Sequence, residues 1–347
     1  MKANKERRIE RRMKNIVVIG SGSWGTALAQ TAKDNGHNVV IYGISEEEVF
    51  DINTNHHNSK YFNEVELNPE LYATTSLGEA MGIQPDIVLL AVPTFAIEGS
   101  CDNIKPYLTK KTIVINVAKG FNPKTNERLS EVIRRVIPES KLSSVVSLIG
   151  PSHAEEVILR MVTAVCAISQ NEEDAKVVQE VFSNESFRVY TGNDEAGSET
   201  GVAMKNILAI ASGMAFGLGY GDNTRAALIT RGLKEMIRFG KLYGGNVETY
   251  MGLTGIGDLI VTCSSVHSRN FQAGNKIGTD DSAEDFLRTN KKTVEGIRTA
   301  KIVHDIAKDA GIEMPICEEV YKVVYENKRP SHSLKDLMNR VLKKENE

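Results

Sequence analysis

Between Lys14 and about Tyr190, short runs of β-branched and aliphatic residues alternate with longer segments whose apolar positions recur every three or four residues. The runs Asn15 to Ile19, Asn38 to Tyr42, Ile87 to Ala91, Ile113 to Asn116, Val145 to Ile149 and Thr163 to Ile168 are nearly continuously apolar, as strands covered on both faces are. Strands alternating with helical segments predict parallel pairing through crossover helices, so residues 14–193 read as a doubly wound α/β Rossmann domain with a mainly parallel sheet. After about Gly192 the β-branched runs stop and helical spacing takes over. Residues 194–347 therefore read as an all-α C-terminal domain, with helices expected over Val202 to Met214, Ala226 to Tyr243 and Thr293 to Asp309. Glycine clusters at 217–221, 244–245 and 252–257 mark turns or close-approach loops. Residues 1–13 read as a disordered basic extension, and the charged tail after Lys343 as frayed.

Length and composition narrow the class. A chain of 347 residues is long for one core and suits two. With 41% hydrophobic and 25% charged residues it has the balance of a globular protein, and a net charge of -3 gives no reason to expect nucleic acid. No apolar run approaches the ~20 residues of a membrane span. Cys101, Cys166, Cys263 and Cys317 are scattered, without metal-ligand spacing, and read as reduced, buried thiols of a cytoplasmic protein that needs no metal. The sequence leaves room for a homodimer without specifying one.

The sharpest local signal follows the first strand. Asn15 to Ile19 runs into Gly20-Ser-Gly-Ser-Trp-Gly25 and then into the helix former Thr26-Ala-Leu-Ala-Gln30, the strand–turn–helix setting that a GxGxxG motif requires. Gly20 permits the tight turn, Gly22 lets backbone approach a pyrophosphate, Gly25 lets helix and strand pack closely, and amides from Ser23 onward face phosphate oxygens at the positive helix end. A glycine-rich turn without a ligand is the plainer alternative. The residue ending the second strand ordinarily chooses the cofactor, an acid favouring NAD and a base NADP. Ile44 stands there, and Glu46 to Glu48 read as the start of the next helix, so the choice stays open and both cofactors are expected to be accepted.

In the helical half, polar residues fall where a plain core would not place them. Lys205 and Asn206 interrupt an apolar helix, Asp258 and Thr262 are spaced to share a helix face, and Ser268-Arg-Asn270 offers a guanidinium fork and an amide suited to a phosphate monoester. Singly, each has a plainer explanation: Asp258 as a helix cap, Lys205 as a surface charge, Arg269 as half of a salt bridge.

Taken in order, Gly20-Ser-Gly-Ser-Trp-Gly-Thr-Ala27, Val117-Ala-Lys-Gly120, Ile149-Gly-Pro-Ser-His-Ala154, Ala203-Met-Lys-Asn206, Gly255-Ile-Gly-Asp-Leu259, Ser268-Arg-Asn270 and Val294-Glu-Gly296 resemble bacterial NAD(P)-dependent glycerol-3-phosphate dehydrogenase over about Lys14 to Leu342. The resemblance implies reversible hydride transfer between NAD(P)H and dihydroxyacetone phosphate, giving sn-glycerol 3-phosphate for phospholipid synthesis. It implies dinucleotide contacts at Ser23, Trp24, Lys119, Ala154, Arg269 and Glu295, beside the turn glycines. It implies contacts to the small phosphorylated substrate at Lys119, Gly150, Ser152, Lys205, Asp258, Ser268, Arg269 and Asn270, with Lys205 moving the proton and Asp258 as the second catalytic group. At Ile44 the sequence departs from the basic residue often found in that family. A related two-domain 3-hydroxy acid or sugar-phosphate dehydrogenase and a non-catalytic NAD(P)-responsive binding protein are the alternatives.

Overall fold

Eight strands form one sheet in a computed structural model that describes residues 12–290 and 293–345. The expected extension at residues 1–13 falls, but for Arg12 and Met13, outside the described residues. Contacts divide the chain into two units: residues up to Ala118 with Leu129–Glu195, and Lys119–Arg128 with the chain from Ala196 onward. A boundary near residue 193 puts Lys119 with the strands, whereas tertiary contacts group it with the helices.

In the first unit the strands are β1 (Asn15–Ile19), β2 (Asn38–Tyr42), β3 (Tyr72–Thr74), β4 (Ile87–Leu90), β5 (Thr112–Asn116), β6 (Leu142–Ile149), β7 (Thr163–Ile168) and β8 (Phe187–Gly192). Their order is β3-β2-β1-β4-β5-β6-β7-β8, parallel throughout except where β6 meets β7. Chain order reverses at β1, which pairs with β2 on one side and β4 on the other, making the switch point where doubly wound sheets bind ligands. The helices here are α1 (Ser23–Asp34), α2 (Glu46–Phe50), α3 (Leu77–Met81), α4 (Ile97–Ile104), α5 (Leu129–Val136), α6 (Ala154–Ile158) and α7 (Glu172–Phe182). Alternate residues of β1 feed opposite cores: Ile16 and Val18 pack in one buried cluster, Val17 and Ile19 in another. That two-sided burial explains the continuous apolar runs.

Two strands escaped the hydrophobic pattern for physical reasons. β3 has three residues and begins on exposed Tyr72, and β8 alternates buried and exposed positions as an edge strand covered on one face. Of the four free cysteines, Cys101, Cys263 and Cys317 are buried, but Cys166 is only half-buried because it sits on the less covered side of β7.

The second unit contains α8 (Glu195–Gly217), α9 (Asp222–Lys241), α10 (Val247–Tyr250), α11 (Asp258–Ser264), α12 (Arg269–Asp280), α13 (Glu284–Thr289), α14 (Glu295–Ala310), α15 (Pro315–Tyr325) and α16 (Pro330–Met338). Helix α8 is buried at every position from Gly201 to Ala215, so it forms the centre of the unit. It crosses α12 through reciprocal glycines. A Cβ on Gly213 would meet Phe271 O at 2.2 Å, on Gly217 Asn275 O at 2.2 Å, on Gly274 Ile210 O at 2.1 Å, and on Gly278 Met214 O at 2.2 Å. Only glycines let the two backbones touch. The tail is less free than its charge suggests, because Glu345 pairs with Arg231 and Lys234 of α9. No helix among the described residues is long and apolar enough to cross a membrane.

Glu235 of α9 is buried and caps α15 from outside, accepting from Ile316 N at 2.7 Å and Cys317 N at 3.1 Å. Burial pushes its carboxyl up from 4.5 to about 7, against the lowering effect of the two amides. The folded protein then keeps a proton that the unfolded chain releases, so this group's contribution falls as pH rises from about 4.5 through 7. Urea titrations across that window should show the slope flattened in Glu235→Gln. Glu235→Ala, which leaves both amides unpaired, should lower stability by about 1–3 kcal/mol; an unchanged midpoint would refute the cap.

Candidate active site

In the first unit, β1 runs straight into Gly20, whose φ of +116° only glycine adopts readily and whose Cβ would meet Ala91 O at 2.5 Å. Gly25 lies so close to Gly20 O that a Cβ would stand 2.1 Å away. Gly22 is different: nothing lies within 4 Å of its Cβ position, and as N-cap of α1 it contributes no side chain to the helix's free amides. The first turn of α1 carries no acidic residue, so its positive end is uncompensated. Ser23 and Trp24 occupy that turn, and Trp24 Nε1 is buried without a hydrogen-bond partner among the described residues. An open glycine, free amides and an orphaned indole donor fit a dinucleotide phosphate group.

The same unit holds Gly150, Ser152 and Ala154 between β6 and α6. A Cβ on Gly150 would meet Val165 Cα at 2.8 Å, so glycine is required there by the neighbouring strand. Ser152 donates to Gly150 O at 3.0 Å, and Ala154 begins α6.

The second unit gathers the charged residues. Lys205 is 3% exposed and Asp258 1%, which removes the surface-charge reading of the lysine. Asp258 does not cap: a π-helical turn over Leu253–Gly257 runs into α11 and turns its carboxylate inward, onto Lys205. Lys119 Nζ lies 3.6 Å from the other carboxylate oxygen. Lys205 also donates to Thr262 Oγ1 at 2.9 Å, and that hydroxyl donates to Asp258 O at 2.6 Å. Neither Asp258 carboxylate oxygen accepts a well-aligned hydrogen bond among the described residues, so both keep acceptor capacity beside the two ammonium groups. Burial pulls the Lys205 ammonium down to about 7, with Lys119 adding to the fall and Asp258 opposing it. Next to Thr262, the Cys263 thiol is pushed up to about 12 by burial, which excludes it as a thiolate nucleophile.

Asn270 links three elements. It donates to Asn206 Oδ1 at 3.0 Å and accepts from Gly296 N at 2.9 Å, while Asn206 reaches Lys119 O at 3.4 Å. Gly296 has no room for a side chain, since its Cβ would stand 2.5 Å from Asn206 O, and Glu295 opens α14 beside it. Ser268 caps α12 through Phe271 N at 3.2 Å. Arg269 is exposed in the first turn of α12 and pairs with no carboxylate among the described residues, against the salt-bridge reading. The second unit thus joins Lys119, Lys205, Asp258 and Asn270 into one network, while Arg269 and Glu295 lie at helix starts next to it in sequence. Asn206 and Thr262 complete the network. The sequence showed them only as neighbours in spacing, because their roles depend on which groups they meet across helices.

An open glycine turn at the switch point of a doubly wound sheet, and a helical unit built on a buried lysine–carboxylate pair, define a nicotinamide-dependent dehydrogenase of the Rossmann type. The family models for the NAD-dependent glycerol-3-phosphate dehydrogenase N-terminus and C-terminus match residues 15–175 and 194–335. A relative from Exiguobacterium sp., named a glycerol-3-phosphate dehydrogenase of the NAD(P)+ type, is 46% identical over 96% of this chain and 98% of its own length. One of the same name from Bacillus thuringiensis is 47% identical with the same coverage. A crystal structure of glycerol-3-phosphate dehydrogenase from Coxiella burnetii matches with a TM-score of 0.87 at 33% identity, covering 94% of this chain and 99% of that one. The chain belongs to the NAD-dependent glycerol-3-phosphate dehydrogenase family.

The glycine crossing of α8 and α12 sets where Asn270 meets Asn206. Gly274→Ala would drive a methyl group into the Ile210 carbonyl, where backbone on both sides has to move. We expect a stability loss of about 1–3 kcal/mol in thermal or urea unfolding, against a near-neutral effect for exposed Gln272→Ala on the same helix. Equal stability of the two variants would show that the helices do not need their close approach.

Proposed function

We propose that the protein interconverts dihydroxyacetone phosphate and sn-glycerol 3-phosphate with NAD(P)H as the redox partner. The observation that carries this reading is the Lys205–Asp258 ion pair buried at the centre of the helical unit. The Gly20–Gly25 turn with Ser23 and Trp24 would hold the dinucleotide, whose chemistry when bound would be to supply or take up the hydride. When the substrate carbonyl accepts hydride at carbon, negative charge grows on its oxygen. The Lys205 ammonium stabilises that charge and delivers the proton, and a side chain titrating near neutrality can do so in either direction. Asp258 holds Lys205 and, with its spare acceptor capacity, takes a substrate hydroxyl. Lys119 adds positive charge beside that carboxylate, and Asn270, fixed by Asn206 and Gly296, offers an amide edge. Arg269 anchors the phosphate, so that binding energy from the remote end positions the reacting carbonyl. Gly150, Ser152, Ala154, Ser268 and Glu295 are assigned ligand contacts from the motifs they share with the family. We place the enzyme in the cytoplasm, a reading supported by four free thiols and no membrane-crossing helix among the described residues.

Lys205→Ala should fold, still bind the dinucleotide and lose turnover by about 10²–10⁴-fold. Lys205→Arg should restore little, since a guanidinium does not release its proton near neutral pH. In wild type the carbonyl-reducing rate requires protonated Lys205 and should fall as pH rises through about 7, while the alcohol-oxidising rate should fall as pH drops through it. A folded Lys205→Ala with near-normal kcat would reject the role.

For Arg269, truncating the substrate isolates the phosphate contact. Arg269→Ala should weaken transition-state binding of dihydroxyacetone phosphate by about 1.5–3 kcal/mol, with Arg269→Lys intermediate. Dihydroxyacetone, already a poor substrate, should lose little further. Equal impairment of both substrates would exclude Arg269 as the anchor.

A further inference from the structure

Ile44, at the position that usually chooses between NAD and NADP, is 88% exposed and offers no charge. The next residue, Ser45, is used as the cap of α2, accepting from Glu48 N at 3.3 Å. A carboxylate nevertheless reaches the end of β2. Glu48, buried on α2, accepts from Ser21 Oγ at 2.5 Å, and Ser21 is the second residue of the glycine turn. A Cβ on Gly43, the first residue after β2, would stand 2.5 Å from that same hydroxyl, so Gly43 leaves the space in which Ser21 sits. The other Glu48 oxygen takes Lys60 Nζ at 2.6 Å and Tyr61 OH at 3.5 Å. Buried Asn58 fixes the arrangement from below, donating to Ser21 O at 2.8 Å and to Thr26 Oγ1 at 2.9 Å.

We propose that Glu48 is the specificity-determining residue for the dinucleotide and that it selects NAD(H) over NADP(H), a step that rests on reading the protein as a nicotinamide-dependent dehydrogenase. In a doubly wound sheet the adenosine ribose is read at the end of β2, where an acid favours a free 2′-hydroxyl and a base favours a 2′-phosphate. Here the acid arrives from one helical turn further along the chain, through Ser21, instead of from the strand end. It is held on both oxygens, so it does not swing away from a phosphate placed beside it. Lys60 would be the cation to receive that phosphate, but it is already paired with Glu48, and the two together present no net positive charge. A 2′-phosphate adds up to about two negative charges next to a buried carboxylate. This replaces the even use of both cofactors that Ile44 alone suggests.

The chain's single tryptophan, Trp24, lies in the first turn of α1, so quenching of its fluorescence reports dinucleotide binding without turnover. NADH and NADPH are titrated into the full chain, into Glu48→Gln, which keeps the shape and the Ser21 contact, and into Lys60→Ala at an exposed position. Wild type is expected to bind NADH at least about tenfold more tightly than NADPH. Glu48→Gln, by releasing Lys60, is expected to bring the two within about threefold of each other, chiefly by tightening NADPH. Lys60→Ala is expected to leave NADH unchanged and weaken NADPH further. Similar affinities in wild type, or a Glu48→Gln variant that weakens both cofactors alike, overturn the assignment while leaving the dehydrogenase reading intact. Absence of binding by both cofactors to wild type overturns that reading and the assignment with it.

Discussion

A lysine in the centre of a helix that is buried on every side keeps a charge only if other groups replace the water it has lost. In the helical unit this is the work of Asp258, with Thr262 as a further acceptor and Lys119 on the far side of the carboxylate. The pair is not a device for stability, since two ions in a dry core lose as much hydration as they regain in attraction. Its effect is chemical. Burial leaves Lys205 titrating near neutrality, which an exposed lysine does not do, and an acid of that strength can both give and take a proton under physiological conditions.

Much of the unit can be understood as what it takes to hold that pair in place. Helix α8 must be central, so it is buried all round and needs close neighbours. Reciprocal glycines let α12 lie directly on its backbone, and Gly296 lets α14 begin against Asn206. The π-helical turn before α11 points Asp258 inward instead of leaving it at a solvent-facing helix start. Asn270 then ties α12 to α8 and α14 with both ends of its amide. Glycine content that looks like a weakness in helix propensity is therefore a packing requirement.

The sheet unit solves a different problem, that of presenting bare backbone to an anion. Gly20 and Gly25 are glycines because neighbouring backbone occupies the space of a side chain, whereas Gly22 faces open space. Around this turn, Ser21 is held by Asn58 and Glu48, contacts that the protein makes by itself and that favour one shape of the loop. Preorganised amides lose little entropy on binding, which is the usual advantage of a glycine turn feeding a helix.

The sequence by itself determined the central strands, because two-sided burial writes continuous apolar runs, and it determined the glycine turn, because strand, turn and helix are adjacent in the chain. It also offered Lys119, Lys205, Asp258 and Asn270 as candidates, through motifs that follow one another along the chain, and the fold brings these four together. It did not determine β3 or β8, whose short or one-sided burial leaves little hydrophobic signal. Nor did it show that Lys119–Arg128 packs with the helices, since a ten-residue excursion between β5 and α5 carries no local mark of where it goes. Only tertiary structure decided that Asp258 pairs inward and does not cap, that Arg269 meets no carboxylate among the described residues, and that Glu48 is joined to the glycine turn and is not simply the acidic start of a helix. The groups that decide such matters lie far apart along the chain: Ser21 and Glu48 are 27 residues apart, and Lys205 and its acceptor Thr262 are 57 apart. Spacing and propensity are local quantities; the burial and charge that fix a side chain's chemistry come from residues that only the fold brings beside it.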